Sequence, residues 1–230
     1  MIPRTLEPED MDTEEESRDY DQFDFTEVNE AFCDDLLALT GSLDGKQVLD
    51  MGCGTARIPI ALVRKSGVAT VTAVDLSAQM LVIAGENVRA ARLESRIVLE
   101  LKDARHAGWP DRAFDAVMSN SIIHHIKDPT DAIGEMARLT KPGGLLFVRD
   151  LCRPSSEEEV ERILQMYAGD PAKLDDAGKR RYPRQRELFG ASLRASLTFD
   201  ELKAITRAVG IPSASVAMTS DRHWTIAWKK

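Results

Sequence analysis

The sequence predicts an α/β fold: a doubly wound, mostly parallel seven-stranded sheet closed by a C-terminal antiparallel hairpin. Three observations predict it. Strand-like and helix-like apolar patterns alternate from Lys46 to Arg149, which argues for parallel strands joined by helical crossovers. The first strand breaks directly into a glycine turn, Asp50-Met51-Gly52-Cys53-Gly54, the usual form of a strand that ends at a ligand crevice. After Gly210 two short strand-like runs follow with no helix between them, near Ser213–Thr219 and Trp224–Trp228, as in a hairpin.

The elements follow in order. Val28 to Leu39 has helical apolar spacing, with Thr40-Gly41 as its stop. Lys46 to Asp50 is the first strand. A helix covers Ala56 to Lys65, where Pro59 falls in the first turn and needs no N–H. Ala69 to Val74 is a β-branched strand ending at Asp75, and Ser77 caps a helix to about Ala91. Arg96 to Leu101 and Phe114 to Ser119 are the third and fourth strands, followed by a helix from Thr130 to Leu139. Lys141-Pro142-Gly143-Gly144 turns into a fifth strand, Leu145 to Arg149. Residues 152–197 then carry helical segments and no strand, so they read as an insertion in one domain spanning residues 27–230. Thr198 caps a last helix, Phe199 to Val209, which Gly210 ends.

Charge divides the chain. The formal net charge is −8, but residues 1–30 hold 12 acids and 2 bases, against 26 acids and 28 bases in the remainder. Residues 1–26 are expected as a mobile acidic tail, or as a lid, since Tyr20, Phe23 and Phe25 are costly to leave in water. No run has the apolar length of a membrane span and the N-terminus has no signal-peptide pattern, so a soluble cytoplasmic protein is expected. Cys33, Cys53 and Cys152 show neither a disulfide framework nor zinc-ligand spacing.

Gly52 and Gly54 permit positive φ and remove the Cβ that would hold a cofactor off the main chain, while Asp50 adds a carboxylate. A dinucleotide fingerprint would need a third glycine where Arg57 stands, and Asp50 would repel a diphosphate but accept hydrogen bonds from an ammonium group. In these features, from Val48 to about Asp150, the chain resembles the class I S-adenosylmethionine-dependent methyltransferases. The resemblance implies S-adenosylmethionine as cofactor, with the loop Asp50, Gly52, Cys53 and Gly54 around its amino-acid half. It further implies that Asp75 accepts both ribose hydroxyls, that Leu76 and Met80 supply apolar contact, that Asp103-Ala104 meets the adenine amine, and that Asn120 approaches the cofactor. Many members carry a glycine where this chain has Ala56, so a slightly tighter loop is expected there.

Asn120-Ser121-Ile122-Ile123-His124-His125 is similar to the Asn-x-x-x-His-His form of small-molecule methyltransferases and lacks the Pro-Pro-aromatic run of enzymes that act on nucleobase amines. His124 and His125 are the catalytic candidates. A neutral imidazole can take a proton from a hydroxyl, thiol or amine, while the plainer role is ordering the loop against the cofactor. No metal is expected, because no third ligand stands near the pair. Asp115 reads as structural support. In the insertion, seven bases between Lys173 and Arg194 face three acids. With Tyr20, Arg181 and Arg184 are the candidates for holding an acceptor, one bearing a carboxylate or phosphate in particular; a solvated helix face is the alternative.

The expected partner is therefore a small-molecule methyl acceptor, with no nucleic acid and no membrane. The rival functions are an RNA methyltransferase, a non-catalytic cofactor-binding partner protein, and an enzyme that modifies S-adenosylmethionine itself, as carboxy-S-adenosylmethionine synthase does.

Overall fold

A computed structural model describes residues 1–7, 13–67 and 70–230. Seven strands form one sheet: β1 (Gln47–Met51), β2 (Thr70–Asp75), β3 (Ile97–Leu101), β4 (Phe114–Asn120), β5 (Thr140–Leu151), β6 (Val216–Met218) and β7 (His223–Lys229). Their order is β3-β2-β1-β4-β5-β7-β6. The first five are parallel, and β7 runs antiparallel to both β5 and β6. The order reverses between β1 and β4, so a crevice opens above their carboxyl ends.

The helices are α1 (Glu14–Asp21), α2 (Thr26–Thr40), α3 (Arg57–Ser66), α4 (Ala78–Ala91), α5 (Thr130–Leu139), α6 (Glu157–Tyr167), α7 (Asp176–Ala195) and α8 (Phe199–Ala208). Alternation along the strands builds two cores. Val48, Ala116, Met118 and Phe147 pack with Phe32, Leu36, Ile60 and Val63 on one face. Leu49, Val117, Leu146 and Val148 pack with Ile133, Met136, Leu202 and Trp224 on the other. The period-two pattern thus buries both faces of the sheet, as parallel strands require.

Local chemistry sets the boundaries. The Ser77 hydroxyl accepts from Met80 N–H at 3.1 Å and starts α4. Thr198 and Glu201 form a reciprocal capping box on α8. Asp115, at the start of β4, accepts from Gln47 N–H at 3.0 Å and from Lys141 Nζ at 2.8 Å, the supporting role expected of it. Two boundaries differ from expectation. β5 begins at Thr140, before the glycine turn, because an irregularity between Phe114 and Ala116 lets β4 pair on both sides of it. Ser213–Ser215 forms a turn of 3₁₀ helix, which leaves only three residues to β6. Ala69, expected in the second strand, lies outside the described residues.

Residues 1–26, expected as a mobile tail or a lid, touch the rest of the domain through Arg4, Thr5 and α1. Arg4 donates to the carbonyls of Ala195 (2.6 Å), Lys127 (2.9 Å) and Ile126 (2.9 Å), and Thr5 N–H donates to the Arg194 carbonyl (3.1 Å). Thr13 caps α1 through Glu16 N–H, and α1 packs against α4. Among the described residues no helix is long and apolar enough to cross a membrane.

Candidate active site

A cleft of about 830 Å³ runs along the carboxyl ends of β1, β2 and β4. Its wall includes Asp50, Gly52, Cys53, Gly54, Asp75, Leu76, Met80, Asp103, Ala104 and Asn120, together with Tyr20, His124 and His125.

The glycine loop is stitched to β2, because the N–H groups of Gly52 and Cys53 both donate to the Val74 carbonyl at 2.8 Å. Gly52 has φ +78°, and a Cβ there would lie 2.2 Å from Ile122 Cγ2. The residue is glycine because the His-containing loop packs directly on its backbone. Gly54, at φ +52°, leaves room beneath the Tyr20 ring, whose Cε1 lies 4.0 Å from the place a Cβ would occupy. Ala56 holds φ +62° at the N-cap of α3. That left-handed backbone is the physical reason a glycine suits this place in similar proteins, and Ala56 adopts it at a modest conformational cost.

Two carboxylates flank the loop. Asp50 is 2% exposed, and its Oδ2 has no hydrogen-bond partner. Burial, and then the nearby Asp75, push its carboxyl up to about 8. Asp75 is also raised by burial, against the backbone donors it accepts from. Its Oδ2 takes Gly54 N–H at 2.7 Å and its Oδ1 takes Ser77 N–H at 3.0 Å. A carboxylate has room for about four donors, so Asp75 can still accept another. Asp103 is held by Arg105 through two guanidinium nitrogens, Nε at 2.9 Å and Nη2 at 2.8 Å, and through its backbone N–H at 2.8 Å. That pairing lowers the Asp103 pKa, and Asp103 still lines the cleft.

Helix α1 covers the loop. Tyr20 is half-buried against Phe23 and Phe25, with ring centroids 6.3 and 5.6 Å away, and burial pushes its phenol up to about 12. Asp21 receives a fork from Arg57, Nε at 2.9 Å and Nη2 at 2.7 Å. Asn87 Nδ2 bridges Asp21 to the Thr55 carbonyl at 3.0 Å each.

The other end of the cleft holds the histidines. His124 is buried, with Nδ1 2.6 Å from Asp150 Oδ1. Asp150 Oδ2 accepts from Ile123 N–H (2.6 Å) and His124 N–H (3.2 Å). Burial alone would lower the His124 pKa, but the Asp150 charge and hydrogen bond carry it up instead. His125 stacks at 4.2 Å between ring centroids and lies 3.5 Å, Nδ1 to Oε2, from Glu7. The third donor missing from the neighbouring sequence thus comes from the N-terminal segment. Burial raises the Glu7 carboxyl, against the opposing pull of His124 and the Ser192 hydroxyl. His223 on β7 also lines the cleft; burial first, and then Arg222, drop its pKa to about 4.

Arg181 and Arg184 do not line this cleft. It takes the later part of α7, through Gln185, Leu188, Phe189 and Ser192. The two arginines border a smaller hollow of about 190 Å³ against α1, where Arg181 donates to Gln22 Oε1 at 2.9 Å and Arg184 pairs with Glu187 at 3.0 Å. Arg222, stacked 3.4 Å over Tyr167 and 3.5 Å from Asp221, does line the cleft, next to His223. Sequence reasoning passed over Glu7, Asp150, Arg222 and His223, none of which sits in a motif.

Residues 49–148 match the model of a methyltransferase domain. The chain is 35% identical over 116 residues to methyltransferase GfsG of Streptomyces halstedii, covering 50% of this chain and 41% of that protein. It is 32% identical over 129 residues to the 27-O-demethylrifamycin SV methyltransferase of Amycolatopsis mediterranei, covering 54% and 47%. In both cases it spans less than half the relative's length. A SAM-dependent methyltransferase of Aquifex aeolicus shares the fold, with a TM-score of 0.64 at 18% identity over 92% of this chain and 96% of that one. Sheet order and glycine loop are those of the class I S-adenosylmethionine-dependent methyltransferase fold, and the residues similar to a methyltransferase domain are 49–148.

Proposed function

We propose that this protein transfers a methyl group from S-adenosylmethionine to a nucleophilic atom of a small molecule. One observation carries the cofactor side: a buried carboxylate oxygen without a partner, Asp50 Oδ2, beside a glycine loop of positive φ and a second carboxylate, Asp75. A pair of buried acids is costly unless a cation and hydrogen-bond donors arrive. The ammonium and ribose hydroxyls of S-adenosylmethionine are such groups.

In this reading Asp50 accepts from the ammonium, Asp75 from the ribose, and Leu76, Met80 and Ala104 provide the apolar wall. When bound, the sulfonium supplies an electrophilic methyl group. The protein's remaining tasks are to place the acceptor in line and exclude water. Tyr20 and the Asp21–Arg57 fork hold α1 over the loop and perform the second task. His124 and His125 meet the acceptor, with His124 fixed by Asp150. An anionic acceptor would be held by Arg222, which replaces Arg181 and Arg184 in that role because it lines the cleft. A small acceptor agrees with the relative from Amycolatopsis, whose name gives 27-O-demethylrifamycin SV as what it methylates.

The test has two steps. S-adenosylhomocysteine should raise the melting temperature by linkage, and Asp75→Ala should remove most of the rise. Methyl-labelled S-adenosylmethionine with a size-fractionated cell extract should then label material in the small-molecule fraction. No thermal shift at millimolar ligand refutes the cofactor assignment. Label in RNA, or in no fraction, refutes the small-molecule assignment.

A further inference from the structure

We infer that Glu7, His124 and His125 form a binding site for a divalent transition-metal ion, open toward the cleft. The three side chains come from two segments far apart in sequence, yet one ligand atom from each lies within 4.8 Å of the others. Glu7 Oε2 and His125 Nδ1 are 3.5 Å apart. Two ligands at about 2.0–2.1 Å from a tetrahedral ion stand roughly 3.4 Å from each other, so this pair already has the required separation. His124 has committed Nδ1 to Asp150, which leaves Nε2 as its ligand atom. A carboxylate on the far nitrogen is the usual support of a metal-binding imidazole, because it fixes the tautomer and raises ligand basicity.

An independent observation points to a cation here. The Glu7 side chain is only 10% exposed, and its Oε1 is buried without a hydrogen-bond partner. The guanidinium of Arg4 makes no hydrogen bond to this carboxyl among the described residues; its nitrogens donate to the carbonyls of Ala195, Lys127, His124 and Ile126. Those bonds instead anchor the segment that brings Glu7 to the histidines. Two imidazoles and one carboxylate suit Zn²⁺, Co²⁺, Ni²⁺ or Fe²⁺ better than Mg²⁺ or Ca²⁺, which prefer all-oxygen shells. Glu7, His124 and His125 all line the cleft, so the remaining coordination positions face it. If methyl transfer proceeds as proposed above, an acceptor oxygen or nitrogen takes one of them; the metal site itself does not depend on that reading.

Untagged, chelator-stripped protein should be titrated with Co²⁺ and Zn²⁺, following Co²⁺ d–d absorption and heat. After dialysis the metal content should be measured. One ion per chain is expected, with near-complete loss of stoichiometric binding in Glu7→Gln and His125→Ala, and about 10- to 100-fold weaker binding in Asp150→Asn. Unfolding curves and S-adenosylhomocysteine titrations on the same samples establish that the variants are folded. Binding weaker than millimolar in the parent protein, or unchanged binding in Glu7→Gln and His125→Ala, overturns the site. Metal binding without S-adenosylhomocysteine binding would leave the site standing and remove the methyltransferase reading.

Discussion

Asp50→Asn should make the cofactor-free protein more stable and its cofactor complex weaker. Burial first, and then Asp75, raise the Asp50 carboxyl from near 3.8 to about 8. Between those values the folded protein holds a proton that the unfolded chain has released, so this group lowers stability progressively as pH rises from about 4 to 8. At pH 6 the gap is roughly two pKa units, or about 3 kcal/mol at 1.36 kcal/mol per unit. Asn does not titrate, so the variant should gain up to about 3 kcal/mol at pH 6 and almost nothing at pH 4. The lost charge-assisted hydrogen bond to an ammonium is worth about 1.5–3 kcal/mol, or roughly 10- to 150-fold in affinity. Urea unfolding of ligand-free protein at pH 4, 6 and 7, paired with calorimetric titration of S-adenosylhomocysteine, measures both. A variant less stable than the parent at pH 7, or one that binds the ligand equally well, would refute the reasoning. Opposite signs for stability and affinity are what a site residue produces and a core residue does not.

Gly52→Ala combines a left-handed backbone cost of about 1–2 kcal/mol with overpacking of about 1–3 kcal/mol against Ile122. Urea unfolding should show a loss of about 2–5 kcal/mol, and adding Ile122→Ala should restore the steric share only; additive losses would disprove the contact. Arg57→Ala removes a half-exposed fork to Asp21, so stability should change by no more than about 1 kcal/mol. Release of S-adenosylhomocysteine, followed by stopped flow, should nevertheless accelerate several-fold as α1 loosens, and an unchanged rate would remove α1 as a lid. Arg222→Ala should raise KM for an anionic acceptor with little change in kcat; an equal fall in kcat would place the residue elsewhere in the mechanism.

Much of the fold was legible because its signals are local. Strand alternation and helix periodicity placed β1, β4, α4 and α5 to within one or two residues, and Ser77 and Thr198 marked helix starts by chemistry that acts within one turn. The same chemistry would have located α1. Thr13-Glu14-Glu15-Glu16 has the spacing of a helix cap, and Thr13 does cap Glu16, but the segment's high mean charge pointed to disorder instead. Averages over an acidic run conceal Ser17, Tyr20 and Asp21, which share one face of the helix and make the contacts that hold it. The insertion misled for the opposite reason. Its arginines formed a conspicuous cluster, yet sequence gives no direction in space, and α7 aims Arg181 and Arg184 at α1.

The site divides along the same line. Its glycine-loop half rests on one strand and its turn, so Asp50, Gly52 and Gly54 were readable together; its histidine half is assembled from residues 7, 124, 125 and 150, which no spacing connects. What unites the halves is an energetic oddity visible only in three dimensions. Among the described residues, the buried carboxylate oxygens without any partner are Asp50 Oδ2 and Glu7 Oε1, and both residues line the same cleft. A folding chain gains nothing from such atoms, since each forfeits hydration without a compensating bond. Holding a proton lessens that cost, which is why burial raises both carboxyls, and an arriving cation would offset it with the charge retained. In the two readings proposed above, the ammonium of S-adenosylmethionine meets the one beside the glycine loop, and a metal ion meets the one beside the histidines. Glu7→Gln should therefore stabilise the metal-free protein near neutral pH just as Asp50→Asn stabilises the cofactor-free one, and each gain should vanish once the matching cation is supplied to the parent protein.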